Sequence, residues 1–374
     1  MENHSENKDY SEYFDTLEKQ LLSDKSDKVP KTYTPKSSEI KKKSNRKAAI
    51  IRVLAFRCIA LMLVVAVIVL IIFGIKSCKR SDDKEISKPS KSANTQVLTE
   101  EKEKKVSLEA KETKDTVLVD SKITSDAVLF IDTKNNSIVA KRNEDKKMYP
   151  ASTTKIMTLL VAVENITDYD DTFQMTYQIT DPLYKDGATV AGFSAGEVLN
   201  MNDLIYGTIL PSGGDAAIGL AIKIAGSEKA FVELMNKKAE QLGLKSTHFT
   251  NCTGLFDKNH FTTAKELAII LRAAMQNPVC KKVLSAQKYT TSSTNKHPNG
   301  LPLENTLFKY MYGTEPEHAV ILGGKTGFVN ESGYCIASFG EDSSGNEFVC
   351  VTLGGKSRWP AVFDQINIYK TYTK

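Results

Sequence analysis

The pattern of hydrophobic and polar positions divides the chain into segments of different character. One run, Cys58 to Ile75, is apolar throughout and carries no charge. A helix rises about 1.5 Å per residue, so a run of this kind, within the roughly 17–25 residues a span requires, is long enough to cross a bilayer. Arg57 and Lys76 bracket it and can reach toward the headgroups. The N-terminal flank holds Lys41, Lys42, Lys43, Arg46, Lys47, Arg52 and Arg57; on the other side Lys76, Lys79, Arg80 and Lys84 are partly offset by Asp82, Asp83 and Glu85. This bias predicts a single-pass signal anchor over 49–77, with residues 1–48 in the cytoplasm and the rest outside. A cleaved signal peptide fits less well, because the preceding tail is long and no small-x-small cleavage site follows. Residues 1–48 are polar and of mixed charge, which predicts disorder. Within them Tyr10, Tyr13, Phe14, Leu17 and Leu21 recur at helical spacing, as in a short helix docking on a cytoplasmic partner or the inner leaflet. Residues 78–122, rich in Lys, Glu, Ser and Thr, read as a solvated linker.

The compact pattern begins near Ile123 and continues to Lys374. Ala127 to Ile131 is apolar and β-prone, Lys134 to Ser137 is turn chemistry, and Ile138 to Ala140 resumes a strand. A helix is expected from Ser152, where Ile156, Leu159, Leu160 and Val163 form a stripe. Others are expected at about 200–209, 214–225 and 228–242, and one from Thr263, where Glu266 completes capping-box spacing. Strands return at Ser332–Phe339 and Glu347–Leu353, and an amphipathic helix from about Pro360 ends the chain. Strands, then many helices, then strands predict an α+β domain whose first and last strands share one antiparallel sheet.

Composition changes little in this picture. The chain is 41% hydrophobic and 25% charged, with a net charge of +5. Its densest basic run, Lys41 to Lys47, lies beside the apolar segment rather than on a folded, aromatic-bearing face, so a nucleic-acid partner is not expected.

Three short motifs carry chemistry. Ser152 and Lys155, in Pro150-Ala151-Ser152-Thr153-Thr154-Lys155, stand one turn apart on one side of a helix start. A serine hydroxyl needs a base, and a lysine amine made neutral by burial and a neighbouring positive charge can serve. Leu210-Pro211-Ser212-Gly213-Gly214-Asp215 falls between two expected helices, and Ser212 could relay a proton to a leaving group. Gly323-Gly324-Lys325-Thr326-Gly327-Phe328 precedes a strand. Its lysine and threonine suit a carboxylate, although they alternate across an ideal pleat; a glycine-flanked edge strand could twist enough to offer both. Gly327 would let a substrate backbone approach closely.

S-x-x-K, a serine loop and K-T-G in this order are the signature of penicillin-binding proteins and serine β-lactamases. Together with PASTTKIMT, GATVAGFSAGE, LIYGTILPSGGDAA, FTNCTGLFDKNHFTTAKELA and GGKTGFVNESGYC, they make residues 123–365 resemble the low-molecular-mass serine D-alanyl-D-alanine carboxypeptidases of peptidase family S11. The resemblance implies a serine β-lactamase/transpeptidase-like fold, a central antiparallel sheet flanked by helices with an all-helical subdomain. It implies that Ser152 attacks the carbonyl between the two last D-alanines of a peptidoglycan stem peptide, with Lys155 as base. Ser212 would pass a proton to the departing D-alanine. Lys325 and Thr326 would hold the terminal carboxylate, and the N–H groups of Ser152 and Phe328 would form the oxyanion hole. β-Lactams would acylate Ser152. No cofactor is implied. Gly214 departs from the family pattern, which has asparagine there, and that lost amide could cost roughly 1–3 kcal/mol. A D,D-endopeptidase shares this chemistry. A weakly active penicillin-binding wall scaffold is kept open by Gly214, and a β-lactamase fits the flanking segments less well.

His4, His248, His260, His297 and His318 show no metal-ligand spacing, and a structural hydrogen bond is the expected role of His260. Cys335 and Cys350 flank the Asp342-Ser343 turn, so two readings stand: a cross-strand disulfide, or two packed thiols.

Overall fold

The computed structural model describes residues 108–311, 313–314 and 316–373. The apolar segment 58–75, the tail helix expected within 1–48 and most of the expected linker lie outside them. Among the described residues no helix is long and apolar enough to cross a membrane.

The described chain runs β1 (Val117–Leu118), β2 (Ala127–Asp132), β3 (Ser137–Arg142), a 3-10 turn (Ala151–Thr154), α1 (Lys155–Asn165), β4 (Thr172–Gln174), α2 (Tyr177–Lys185), β5 (Val198–Asn200) and α3 (Met201–Ile209). It continues through α4 (Gly214–Ala225), α5 (Glu228–Gln241), α6 (Ala264–Gln276), α7 (Pro278–Ser285), β6 (Lys288–Thr290), β7 (Pro302–Glu304) and α8 (Thr306–Met311). β8 (Ala319–Val329), β9 (Gly333–Asp342), β10 (Glu347–Gly355) and α9 (Arg358–Tyr372) close it. A six-stranded sheet has the order β1-β3-β2-β10-β9-β8. β2 pairs antiparallel with β10, in the register Ile131↔Val349, so the domain's early and late strands are neighbours, as the element order predicts. β1 adds a short parallel edge on β3.

Why β2 reads as an unbroken apolar run is now clear. Strand side chains alternate between faces, and both faces here are covered. Ala127, Leu129 and Ile131 enter the larger core with α1 and α6; Val128 and Phe130 enter a smaller core with α9. Helix α9 starts at Arg358, and its buried residues exceed one stripe, including Asp364 and Gln365. The Asp364 carboxylate accepts the N–H groups of Thr124 and Ser125 and both hydroxyls.

The other helix boundaries follow local chemistry. Ser227 caps α5, and Asn277 with Pro278 starts α7. Thr263 caps α6 by accepting from Glu266 N–H at 3.0 Å. The Glu266 carboxylate, however, reaches the N–H groups of Lys245 and Ser246, so only half of the expected capping box forms.

One expectation needs correction. The fold takes in chain well ahead of Ile123: Ala110 and Val119 are buried, and Lys111 exchanges backbone bonds with Asn136 and Ile138. Of the two readings left open for Cys335 and Cys350, the structure holds the packed thiols: both are free and buried. Residues directly across their hairpin share parity, as in Cys350↔Ser338 and Val349↔Phe339, so an odd and an even cysteine face opposite sides of the sheet. Cys335 belongs to the larger core and Cys350 to the smaller.

Candidate active site

The S-x-x-K segment does not open directly as an α-helix. Ala151–Thr154 is a 3-10 turn and Lys155 begins α1. Three residues per turn align positions i and i+3, and Lys155 Nζ donates to Ser152 Oγ at 3.1 Å. The turn is entered through Ala151 at φ +48, a left-handed conformation that costs a non-glycine residue about 1–3 kcal/mol. Surrounding chain holds it there. Gly254, at φ +82, lies so close that a Cβ on it would overlap the Ala151 carbonyl. Gly327 faces the turn from β8, and a Cβ there would stand 2.7 Å from Ser152 N and 2.9 Å from Thr153 N. The role expected for Gly327, admitting a substrate backbone, is thus preceded by another: it lets β8 close on the serine turn.

Lys155 is 2% exposed. Burial lowers its amine to about 8, while Cys252 and Asp215 pull the other way. Its second contact is the Thr253 carbonyl, at 2.7 Å. Lys325 is fully buried and donates to the Thr326 carbonyl at 2.8 Å. Burial first, and the Lys155 charge second, hold Lys325 well below the ordinary lysine value. The Thr326 hydroxyl shares a 2.7 Å hydrogen bond with that of Thr306 at the start of α8. β8 is an edge strand with a register shift between Ile321 and Gly323, but the two side chains engage different partners.

Ser212 stands at φ +67 between α3 and α4. Its hydroxyl is buried and has no hydrogen-bond partner among the described residues. Asp215 locks the adjacent loop: its carboxylate accepts the N–H groups of Ala191, Gly192 and Phe193. Burial pushes this carboxyl up and those N–H groups draw it back.

A cavity of about 360 Å³ opens in front of these groups. Of the residues singled out in the sequence, Ser152, Lys155, Gly214 and Phe328 line it; Ser212, Lys325, Thr326 and Gly327 do not. Its other walls are Leu183 and residues 186–189 on one side and residues 253–256 on another, with Asn330 and Glu331 beyond Phe328; most lie in the segments that carry the family resemblance, which gave them no role, and Leu183 and Asp186 lie outside those segments. Leu255, Phe256 and Phe328 are exposed apolar side chains at its rim. Among the described residues no three His, Cys, Asp or Glu side chains gather as metal ligands. His260 has the structural role expected of it. Thr250 N–H donates to Nδ1, which leaves Nε2 to donate to Thr154 Oγ1 at 2.8 Å, and burial pushes the ring down to about 4.

Gly214 is more than a truncated asparagine. A Cβ there would lie 3.2 Å from both Leu183 Cδ2 and the Thr189 carbonyl, and Gly214 N–H already donates to that carbonyl at 2.8 Å. Gly214→Asn should therefore destabilise the protein by roughly 1–3 kcal/mol through overpacking. Leu183→Ala removes one of these contacts, so Gly214→Asn should cost less in a Leu183→Ala background than in the wild-type one, and thermal unfolding of the wild type, both single variants and the double variant checks it.

Comparison with known proteins agrees with this geometry. The chain is 29% identical over 213 residues to D-alanyl-D-alanine carboxypeptidase DacF of Bacillus subtilis, an alignment covering 57% of this chain and 53% of that one. It is 27% identical over 215 residues to a D-alanyl-D-alanine endopeptidase of Pseudomonas aeruginosa, covering 57% and 66%. The crystal structure of the Streptomyces K15 DD-transpeptidase superposes with a TM-score of 0.59 at 26% identity, over 66% of this chain and 95% of that one. The chain spans about half the length of the first curated relatives it matches. The sequence model of the D-alanyl-D-alanine carboxypeptidases matches residues 86–357, well over half of the chain, and on that match, with the motifs assembled as described, the chain belongs to the D-alanyl-D-alanine carboxypeptidase family, peptidase S11.

Proposed function

We propose that this protein is a serine D,D-carboxypeptidase that removes the terminal D-alanine from peptidoglycan stem pentapeptides. The observation that carries the reading is the buried Lys155 amine 3.1 Å from Ser152 Oγ, at the wall of an open cavity. Neutral Lys155 takes the Ser152 proton as Oγ attacks the carbonyl between the two D-alanines. Charge developing on the carbonyl oxygen is met by the N–H groups of Ser152 and Phe328; each such donor is worth roughly 3–4 kcal/mol. The C–N bond breaks, and the departing amine receives a proton through Ser212, whose buried hydroxyl is free to bond with it. Water then attacks the ester on Ser152 with Lys155 again accepting the proton; the bond from the carbonyl carbon to Ser152 Oγ breaks, and Lys155 returns that proton to Oγ. Lys325, buried behind the cavity wall, takes up a proton as the terminal carboxylate arrives and pairs with it, and Thr326 supplies a hydroxyl. Gly327 holds β8 against the serine turn. Gly214 contributes room rather than an amide. A β-lactam reacts at the same carbonyl position, but its leaving group stays attached.

The apolar run 58–75, with the basic excess before it, supports a single-pass anchor in a bacterial cytoplasmic membrane. Residues 1–48 are then cytoplasmic and available to a partner, and the catalytic domain is external, where the cell wall lies.

A second reading, cleavage of cross-links, is favoured by the endopeptidase relative from Pseudomonas aeruginosa. Parallel incubation of the full chain with a stem pentapeptide and with a D,D-cross-linked dimer separates the two. Faster release of free D-alanine from the pentapeptide is expected. Faster cleavage of the dimer would replace the carboxypeptidase reading with the endopeptidase one.

A further inference from the structure

The site lacks the side-chain amide of the family pattern at Gly214, so it matters what else holds the Lys155 amine. Among the described residues its hydrogen-bond partners are Ser152 Oγ and the Thr253 carbonyl, and the carbonyl is the nearer, at 2.7 Å against 3.1 Å. A backbone carbonyl directs an amine only as well as its loop is fixed.

One side chain fixes this loop. Asn251 Oδ1 accepts from Gly254 N–H at 2.7 Å, from the Thr253 hydroxyl at 3.0 Å and from Thr253 N–H at 3.2 Å. Its Nδ2 donates to the Leu255 carbonyl at 3.0 Å. The loop is also anchored outward. The Cys252 carbonyl accepts from Thr158 Oγ1 of α1 at 2.7 Å, and Cys252 N–H donates to Glu228 of α5 at 3.0 Å. Both of those anchors are on Cys252, ahead of Thr253, and leave the Thr253–Gly254 peptide plane, which carries the Thr253 carbonyl, free to rotate; the bond from Gly254 N–H to Oδ1 fixes that plane. The same turn seats Gly254 on the Ala151 carbonyl, so the serine and the lysine are both referred to this loop.

We propose that Asn251 is a positioning residue for the reaction: by ordering the Thr253–Gly254 turn it aims the Thr253 carbonyl, and through it holds Lys155 Nζ on Ser152. This rests on the reading of Ser152 and Lys155 as nucleophile and base, and it adds a residue that touches neither substrate nor reacting atoms.

The test is the time course of labelling of the full chain by a fluorescent penicillin across a pH series. The amplitude reports the folded fraction, and the rate constant reports the chemistry of each folded molecule. Asn251→Ala should slow labelling about ten- to hundredfold, the scale of an ångström-sized misplacement. Its acid limb should also move to higher pH, because a loosened loop admits water to Lys155. The charged or titratable groups that bear on Lys155 from its surroundings are Cys252 on the loop, Asp215 on α4 and Lys325 on β8, and all of them are retained. Asn251→Asp keeps the acceptor oxygen and should restore most of the rate. If Asn251→Ala does not fold, Thr253→Val decides the matter. It removes one contact to Oδ1 at constant volume and should slow labelling several-fold with the same shift. Wild-type rate constants and pH profile at reduced amplitude, in whichever of these variants folds, would overturn the proposal. No labelling of the wild-type chain would instead overturn the assignment of nucleophile and base.

Discussion

Lys155→Met should lose roughly 10²- to 10⁴-fold in the rate of penicillin acylation, the range that a positioned general base supplies. The substitution keeps a long unbranched side chain in a buried site and removes the amine. Stability should change little, because the unpaired Thr253 carbonyl, costing about 1–3 kcal/mol, is offset by no longer burying a lysine. In the wild-type protein the neutral amine is the active form. With Lys155 at about 8, roughly one molecule in ten is competent at pH 7, against roughly one in three thousand at the ordinary value of 10.5. The sign follows: acylation rises with pH up to about 8 and levels off above it. Lys155→Met should flatten this limb as well as lower it. Rate constants measured across pH for both proteins check the two statements together. A steep acid limb surviving in the variant would assign the titrating group elsewhere.

Gly327→Ala is the second large effect. A methyl group at this position meets Ser152 N at 2.7 Å, Thr153 N at 2.9 Å and the Ala151 side chain at 3.1 Å. The two nearest are backbone groups of a turn already held at a left-handed φ, with little room to yield. β8 must withdraw from the turn, which carries the serine away from the Phe328 N–H. A displacement of this size should cost on the order of 10²-fold in acylation. Gly327 is absent from the positive-φ glycines, so the backbone itself tolerates alanine and the fold should persist. A near-native circular dichroism spectrum with acylation slowed in this way is the expected pair of results. Unchanged acylation would mean that β8 and the serine turn are not tightly coupled.

The residues differ in how far the sequence revealed them. Ser152, Lys155, Ser212 and Lys325 could be singled out because the roles proposed for them, nucleophile, base, proton relay and carboxylate-binding cation, require particular side chains in fixed order. Asn251 and Thr253 could not, because what reaches Lys155 is a backbone carbonyl, which any residue could provide. The left-handed conformations of Ala151 and Ser212 leave no compositional trace either, since neither position is a glycine. Gly327 was singled out, but for the substrate side; its nearest neighbour is the serine turn, and only tertiary structure brings these together. The sheet was legible for a simple reason: β2, β9 and β10 are buried on both faces and carry long apolar runs. The separate two-stranded sheets β4–β5 and β6–β7 have three residues per strand and too little pattern to detect. The domain starts ahead of the expected Ile123 because chain as polar as residues 108–122 still packs through a few sparse residues, Ala110 and Val119 among them. The cysteine pair shows the limit of reasoning from symmetry about a turn. The register, not the distance from the turn, decides which side chains meet.

The central claim is that Ser152 is the group acylated. The most direct test is to treat the full chain and its Ser152→Ala variant with penicillin, weigh both proteins intact and map any adduct by proteolysis. One penicilloyl mass should be added to the wild-type chain, carried on the peptide containing Ser152, and none to the variant. An adduct that persists in Ser152→Ala, or maps to another residue, would contradict the claim.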